Sequence, residues 1–138
     1  MKKIFLLYGI LLASKFAFNA NEQDENDNEV IRQKMNEFIQ RRLSLSKDES
    51  EKFTPVFLKY FAEWRQTLRE NRNDRLMLKQ KVAELQLRYR PQFRDILGER
   101  RGNQVYREQE RFIRGVRDAA QERRRNNRPN TNPRSLLH

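Results

Sequence analysis

The chain has no cysteine and a single histidine, His138, at its last position. Without thiols there is no disulfide, no thiol chemistry and no lipid attachment through cysteine. One terminal imidazole gives no His–Ser or His–Cys pairing to activate a nucleophile. Soft-metal sites need clustered histidine, cysteine or methionine ligands, and beyond the first residue methionine occurs only at Met35 and Met77. Glycine and proline are scarce at four each, and no glycine-rich phosphate cradle is present. Acidic residues such as Glu51, Glu63 and Glu84 alternate with bases, the pattern of a solvated helix face rather than of paired acid–base catalysts. No apolar run approaches the ~20 residues needed to span a bilayer. The expectation is a protein that is not an enzyme and carries no cofactor and no metal.

What is present begins with Lys2 and Lys3, followed by the apolar run Ile4 to Ala13 and then Phe18-Asn19-Ala20. This is the layout of a secretory signal peptide over residues 1–20, with an uncleaved N-terminal anchor as the competing reading. Cleavage after Ala20 leaves 118 residues, one domain, with 27 basic against 19 acidic side chains. Hydrophobic and charged residues each make up 36% of the chain. Few breakers, abundant charge and widely spaced apolar residues suit long helices burying narrow stripes. So thin a layer buries little surface, and a homodimer is expected to complete the core.

Residues 21–29 (NEQDENDNE) are polar and acidic throughout and read as a disordered linker. Residues 123–138 carry five arginines and no acid and read as a disordered basic tail. Between them, residues 30–122 read as a helical domain. A first helix covers about Val30 to Leu43. In the segment that follows, Ser46 and Glu49 form a capping box, so a second helix starts at Lys47. Its apolar positions Phe53, Phe57, Tyr60, Phe61, Trp64 and Leu68 recur at helical spacing, with a bend expected at Pro55. Glu70 to Asp74 reads as a helix–helix turn, with Asn73 or Asp74 as the next cap. The third helix carries Leu78, Val82, Leu85, Tyr89, Phe93, Ile96 and Leu97, bends at Pro91 and ends at Gly98. A fourth runs from about Asn103 to Arg125, with Val105, Phe112, Val116 and Ala120 on one face. Glu84–Arg88 and Glu110–Arg114 are spaced as i, i+4 ion pairs.

Two constellations remain. The aromatic stripe Phe53, Phe57, Tyr60, Phe61 and Trp64 is core or dimer interface by its spacing, and a client-binding surface if part of it stays accessible. The cations are 21 arginines and nine lysines, all arginine after Lys81. Arginine's planar fork binds carboxylate and phosphate bidentately. Arg107, Arg111 and Arg114 fall on the face opposite Val105 and Phe112, either as a solvated surface or as a docking face for an acidic protein, unfolded clients or anionic head groups at a membrane surface. Such a charge suggests nucleic acid in a cytosolic protein; export makes nucleic acid the wrong partner.

At Leu45-Ser46-x-x-Glu49, continuing into Glu51-Lys52-Phe53-x-Pro55-x-Phe57-x-x-Tyr60, the chain resembles the Spy/CpxP-like periplasmic family, whose motif is Leu-Thr-x-x-Gln at a helix start. Ile96-Leu97-Gly98 and Tyr106-x-x-x-Glu110-x-Phe112 are similar to a branch described as sensors of extracytoplasmic-function sigma factors. The likeness covers roughly residues 30–122. It implies an all-α fold, a bent antiparallel helical hairpin with flanking helices, dimerising into a cradle. It implies a periplasmic stress-response sensor or accessory protein whose partner is a membrane stress sensor, an anti-sigma factor or unfolded clients. An ATP-independent holdase chaperone and a passive structural envelope protein are the alternatives.

Overall fold

A computed structural model describes residues 25–128. Residues 1–24 and 129–138, including the expected signal segment and most of the basic tail, lie outside the described residues. Within them the fold is all-α: helix α1 covers residues 25–42, α2 Lys47–Glu70 and α3 Arg75–Asn126. Residues 25–29, read above as linker, are already helical, as are Arg123 to Asn126 of the expected tail. Composition suggested disorder at both places. Each continues a helix whose hydrogen-bonded turns are in place, and propagating a helix costs far less than nucleating one.

α1 closes in a Schellman turn. The Leu45 N–H donates to the Gln40 carbonyl at 3.1 Å and the Ser44 N–H to that of Arg41 at 3.2 Å. The turn requires a left-handed residue, and Ser44 takes that role at φ 52°. One residue later α2 opens on the expected capping box. The Glu49 N–H donates to the Ser46 hydroxyl, and the Ser46 N–H to the Glu49 carboxylate, both at 3.1 Å. After the turn at residues 71–74, Asp74 caps α3 by accepting from the Met77 N–H at 3.0 Å.

Pro55 and Pro91 both lie inside helices. The break in α3 falls at Gly98, where the third helix was expected to end, with φ 82° and ψ 166°, a region essentially restricted to glycine. The expected third and fourth helices are therefore one chain of helical residues interrupted at a single position. After the break the second segment of α3 folds back on the first. It comes so close that a Cβ on Gly102 would lie 2.8 Å from the Arg94 backbone.

The core joins all the segments: Met35, Ile39 and Leu43 from α1, four aromatics from α2, Leu85, Tyr89, Phe93 and Leu97 from α3 before the break, and Val105 after it. Phe53 meets Phe93 at 5.4 Å between ring centroids and Tyr60 meets Tyr89 at 5.5 Å, so α2 and the first segment of α3 run antiparallel. Beyond the break, Phe112 packs on Phe38 at 5.6 Å. The apolar face expected there is covered only in part. Val105 is buried and Phe112 half-buried, but Val116 and Ala120 are exposed, because neither α1 nor α2 packs over them.

Candidate protein-binding surface

The Leu45-Ser46-x-x-Glu49 motif is a junction rather than a free surface. Leu45 is half-buried where the α1 turn and the α2 cap meet, and Ser46 is exposed. Glu49 is gripped through both carboxylate oxygens by Arg101, with one contact at 3.1 Å. The same guanidinium donates to the Leu43 carbonyl at 3.4 Å and the Leu97 carbonyl at 3.2 Å. This arginine, with the Ser46 N–H, holds the Glu49 carboxyl below its ordinary value. Arg101 escaped the sequence reading, because periodicity reports one helix at a time and Arg101 lies 52 positions from its partner.

The aromatic stripe corrects the surface reading. Phe53, Phe57, Tyr60 and Phe61 are buried within one chain, where they cover and are covered by α3. Only Trp64 stays half-open, resting on Phe61 with ring centroids 5.6 Å apart. Spacing identified the buried face but not how much of it this same chain would cover. Tyr60 also reaches the second segment of α3. Its hydroxyl donates to Gln109 Oε1 at 2.6 Å and accepts from Gln86 Nε2 at 3.3 Å. Burial pushes the Tyr60 phenol up to about 12. Tyr106, also raised by burial, donates to the Gln86 carbonyl at 2.6 Å. The Gln109 Nε2 is buried with no hydrogen-bond partner.

Arg107, Arg111 and Arg114 are all exposed. Arg111 lies 3.5 Å from Glu108, a nearly buried carboxylate that Arg42 also holds, at 3.1 Å. Arg107 and Arg114 make no ion pair with another described residue. Beyond them every described residue of α3 is exposed, including Arg117 and Arg123 to Arg125. The expected Glu84–Arg88 pair is replaced, with Arg88 crossing to Glu63 on α2 at 2.6 Å and Glu84 taking Lys81 at 3.5 Å, and Glu110 and Arg114 form no ion pair with each other.

Comparison with family models, curated proteins and solved structures gives no match.

The surface is therefore defined by its chemistry. α3 offers a basic flank after Gly98 and, before it, the uncovered apolar side chains Leu76, 80% exposed, and Leu87, 56% exposed. Eleven positions apart, these two fall on one face of the helix, opposite the buried Leu85 and Tyr89. Among the described residues, no three histidine, cysteine, aspartate or glutamate side chains are placed to hold a metal ion, and no helix is long and apolar enough to cross a membrane.

Proposed function

We propose that this chain is an exported, periplasmic protein that acts by binding other proteins, as a stress-response sensor or accessory protein of the Spy/CpxP-like kind. The observation that carries the reading is the distal part of α3. From Arg114 to Asn126 it is a helix without tertiary cover, following Arg107 and Arg111 on the same basic flank. Exposed guanidinium groups along a helix steer acidic partners and accelerate their association, and a membrane sensor's external domain or an anti-sigma factor is the partner class proposed. Regulation of an extracytoplasmic-function sigma factor belongs to this reading. A holdase activity is the second reading, favoured by the uncovered Leu76 and Leu87.

The experiment compares wild type with the Arg107, Arg111, Arg114→Gln triple variant. Removing exposed charges changes stability by only ~0–1 kcal/mol, so the variant should keep its helicity. It should lose binding to its acidic partner at low salt, where electrostatic steering is strongest. Client breadth separates the two activities. A sensor engages one partner, whereas a holdase suppresses aggregation of several unrelated unfolded proteins and should weaken on Leu76, Leu87→Ser substitution. Normal partner binding by the triple variant overturns the basic-flank reading.

A further inference from the structure

We propose that α3 is an exchangeable element: it straightens at Gly98, and the segment beyond Gly98 docks on the body of a second copy of this chain, in the place it otherwise occupies on its own.

Three observations converge on this. The first is the hinge. Gly98 is the single residue with non-helical angles in the 52-residue span of α3. One pair of dihedral angles therefore separates the folded-back form from a continuous helix about 78 Å long. A Cβ at Gly98 would meet nothing within 4 Å. The turn is bridged only at the surface, by Arg94, which donates to Asn103 Oδ1 at 3.0 Å and lies 3.9 Å from Glu99, and the nearest proline, Pro91, is already accommodated in helix. A short hinge in a Gly-only conformation is the kind of connection that invites exchange between copies.

The second observation is the character of what the returning segment touches. The contact of α2 with the first segment of α3 is aromatic and apolar. After the break, the buried residues are Gly102, Val105, Glu108 and Gln109, of which only Val105 has a sizeable apolar side chain. Half-buried Tyr106 and Phe112 add contacts to Phe93 and Phe38, and the rest of the attachment is polar: Glu108 to Arg42, Gln109 to Tyr60, Arg101 to Glu49 and Tyr106 to the Gln86 carbonyl. When the segment leaves, water can replace its partners in these links. This segment is thus the part of the molecule best able to leave as a unit while the aromatic contacts between α2 and the first segment of α3 stay in place.

The third observation names the occupant. Departure uncovers Tyr60, Phe93 and Phe38, and leaves Arg42 and Glu49 without their partners. The group that satisfies all of them together is the same sequence, with Val105, Tyr106 and Phe112 as its apolar contacts and Arg101, Glu108 and Gln109 as its polar ones. A second copy supplies it without any new contact having to evolve, and the exchange is reciprocal and closes as a two-fold dimer.

The absence of cysteine makes the test clean. Arg42→Cys with Glu108→Cys places one thiol on α1 and one on the returning segment. The protein is refolded from denaturant over a range of concentrations, fractionated by size and joined with a short bismaleimide. In the dimer fraction the link should fall between chains and run at twice the monomer mass in a denaturing gel; in the monomer fraction it should fall within the chain. Gly98→Ala, which disfavours the positive φ and favours helix, should raise the dimer fraction at least about tenfold at equal concentration, with helical content unchanged. The proposal is overturned if the cysteine pair yields only intrachain product at every concentration, or if Gly98→Ala stays a folded monomer. Should Gly98→Ala fail to fold, the cysteine pair on the native hinge decides the question alone.

Discussion

Arg101 holds Glu49 by both carboxylate oxygens, so one glutamate caps α2 and anchors the segment of α3 that lies after Gly98. A local motif and a long-range contact thus share a single side chain. The cap satisfies the Ser46 N–H at the helix start, and the ion pair draws Arg101 against the Leu43 carbonyl, just past the end of α1.

The pH dependence follows from that arrangement. Arg101 and the Ser46 N–H lower the Glu49 carboxyl below its ordinary 4.5. A depressed carboxyl stabilises the fold above its unfolded value, and the contribution is lost as pH falls through the lower, folded value. Wild type should therefore lose melting temperature on acidification below about pH 4.5, whereas Glu49→Gln should start lower and show a flatter acid limb. Parallel acid limbs for the two proteins, measured by thermal unfolding from about pH 7 to about pH 3, would count against a stabilising Glu49 carboxylate.

The phenol of Tyr60 gives the opposite limb. Its folded value of about 12 lies above the ordinary 10, so its contribution is complete below 10 and declines as pH rises from there through the folded value. Tyr60→Phe should remove this alkaline decline. It should also cost about 1–2 kcal/mol at neutral pH, because Gln109 loses its only hydrogen bond in a buried site. Denaturant titration at neutral and alkaline pH reads both effects.

Two glycines in the second segment of α3 should respond oppositely to alanine. Gly102→Ala drives a Cβ to 2.8 Å from the Arg94 backbone, which cannot yield as a flexible side chain would, and should cost about 1–3 kcal/mol. Gly115 has nothing within 4 Å of a built Cβ and is exposed in mid-helix. Gly115→Ala should gain up to about 1 kcal/mol from helix propensity, seen as higher helicity on heating. Equal effects of the two substitutions would mean that the close approach at Gly102 does not constrain the fold.

The junction between α1 and α2 contains a pair of serines with opposite expectations. Ser44 adopts a left-handed conformation that costs a non-glycine residue roughly 1–2 kcal/mol. Ser44→Gly should recover about half to all of it, less the added freedom of the unfolded chain. Ser46→Ala removes the capping hydroxyl and should cost about 1 kcal/mol. Chemical denaturation of the two variants beside wild type suffices; a Ser44→Gly protein less stable than wild type would show that the left-handed conformation costs Ser44 less than glycine adds in freedom to the unfolded chain.

Much of this molecule was legible in its residues. The box at Ser46 and Glu49, the start of α2 at Lys47, a cap at Asn73 or Asp74, the break at Gly98 and the buried aromatic face are all local signals, written within one or two helical turns. They depend on which backbone donors need an acceptor and which side chains recur every three to four positions, and those requirements hold before any tertiary contact forms. Tertiary packing decided the remainder. It determined that Phe53, Phe57, Tyr60 and Phe61 lie under α3 within one chain and that Arg101 answers Glu49. It also left Val116 and Ala120, on the same stripe as Val105, bare where α1 and α2 no longer cover the helix. Periodicity says which face of a helix is apolar. The angle at which two helices cross, set here by a single glycine and by the close seat of Gly102 on Arg94, decides how far along that face the cover extends.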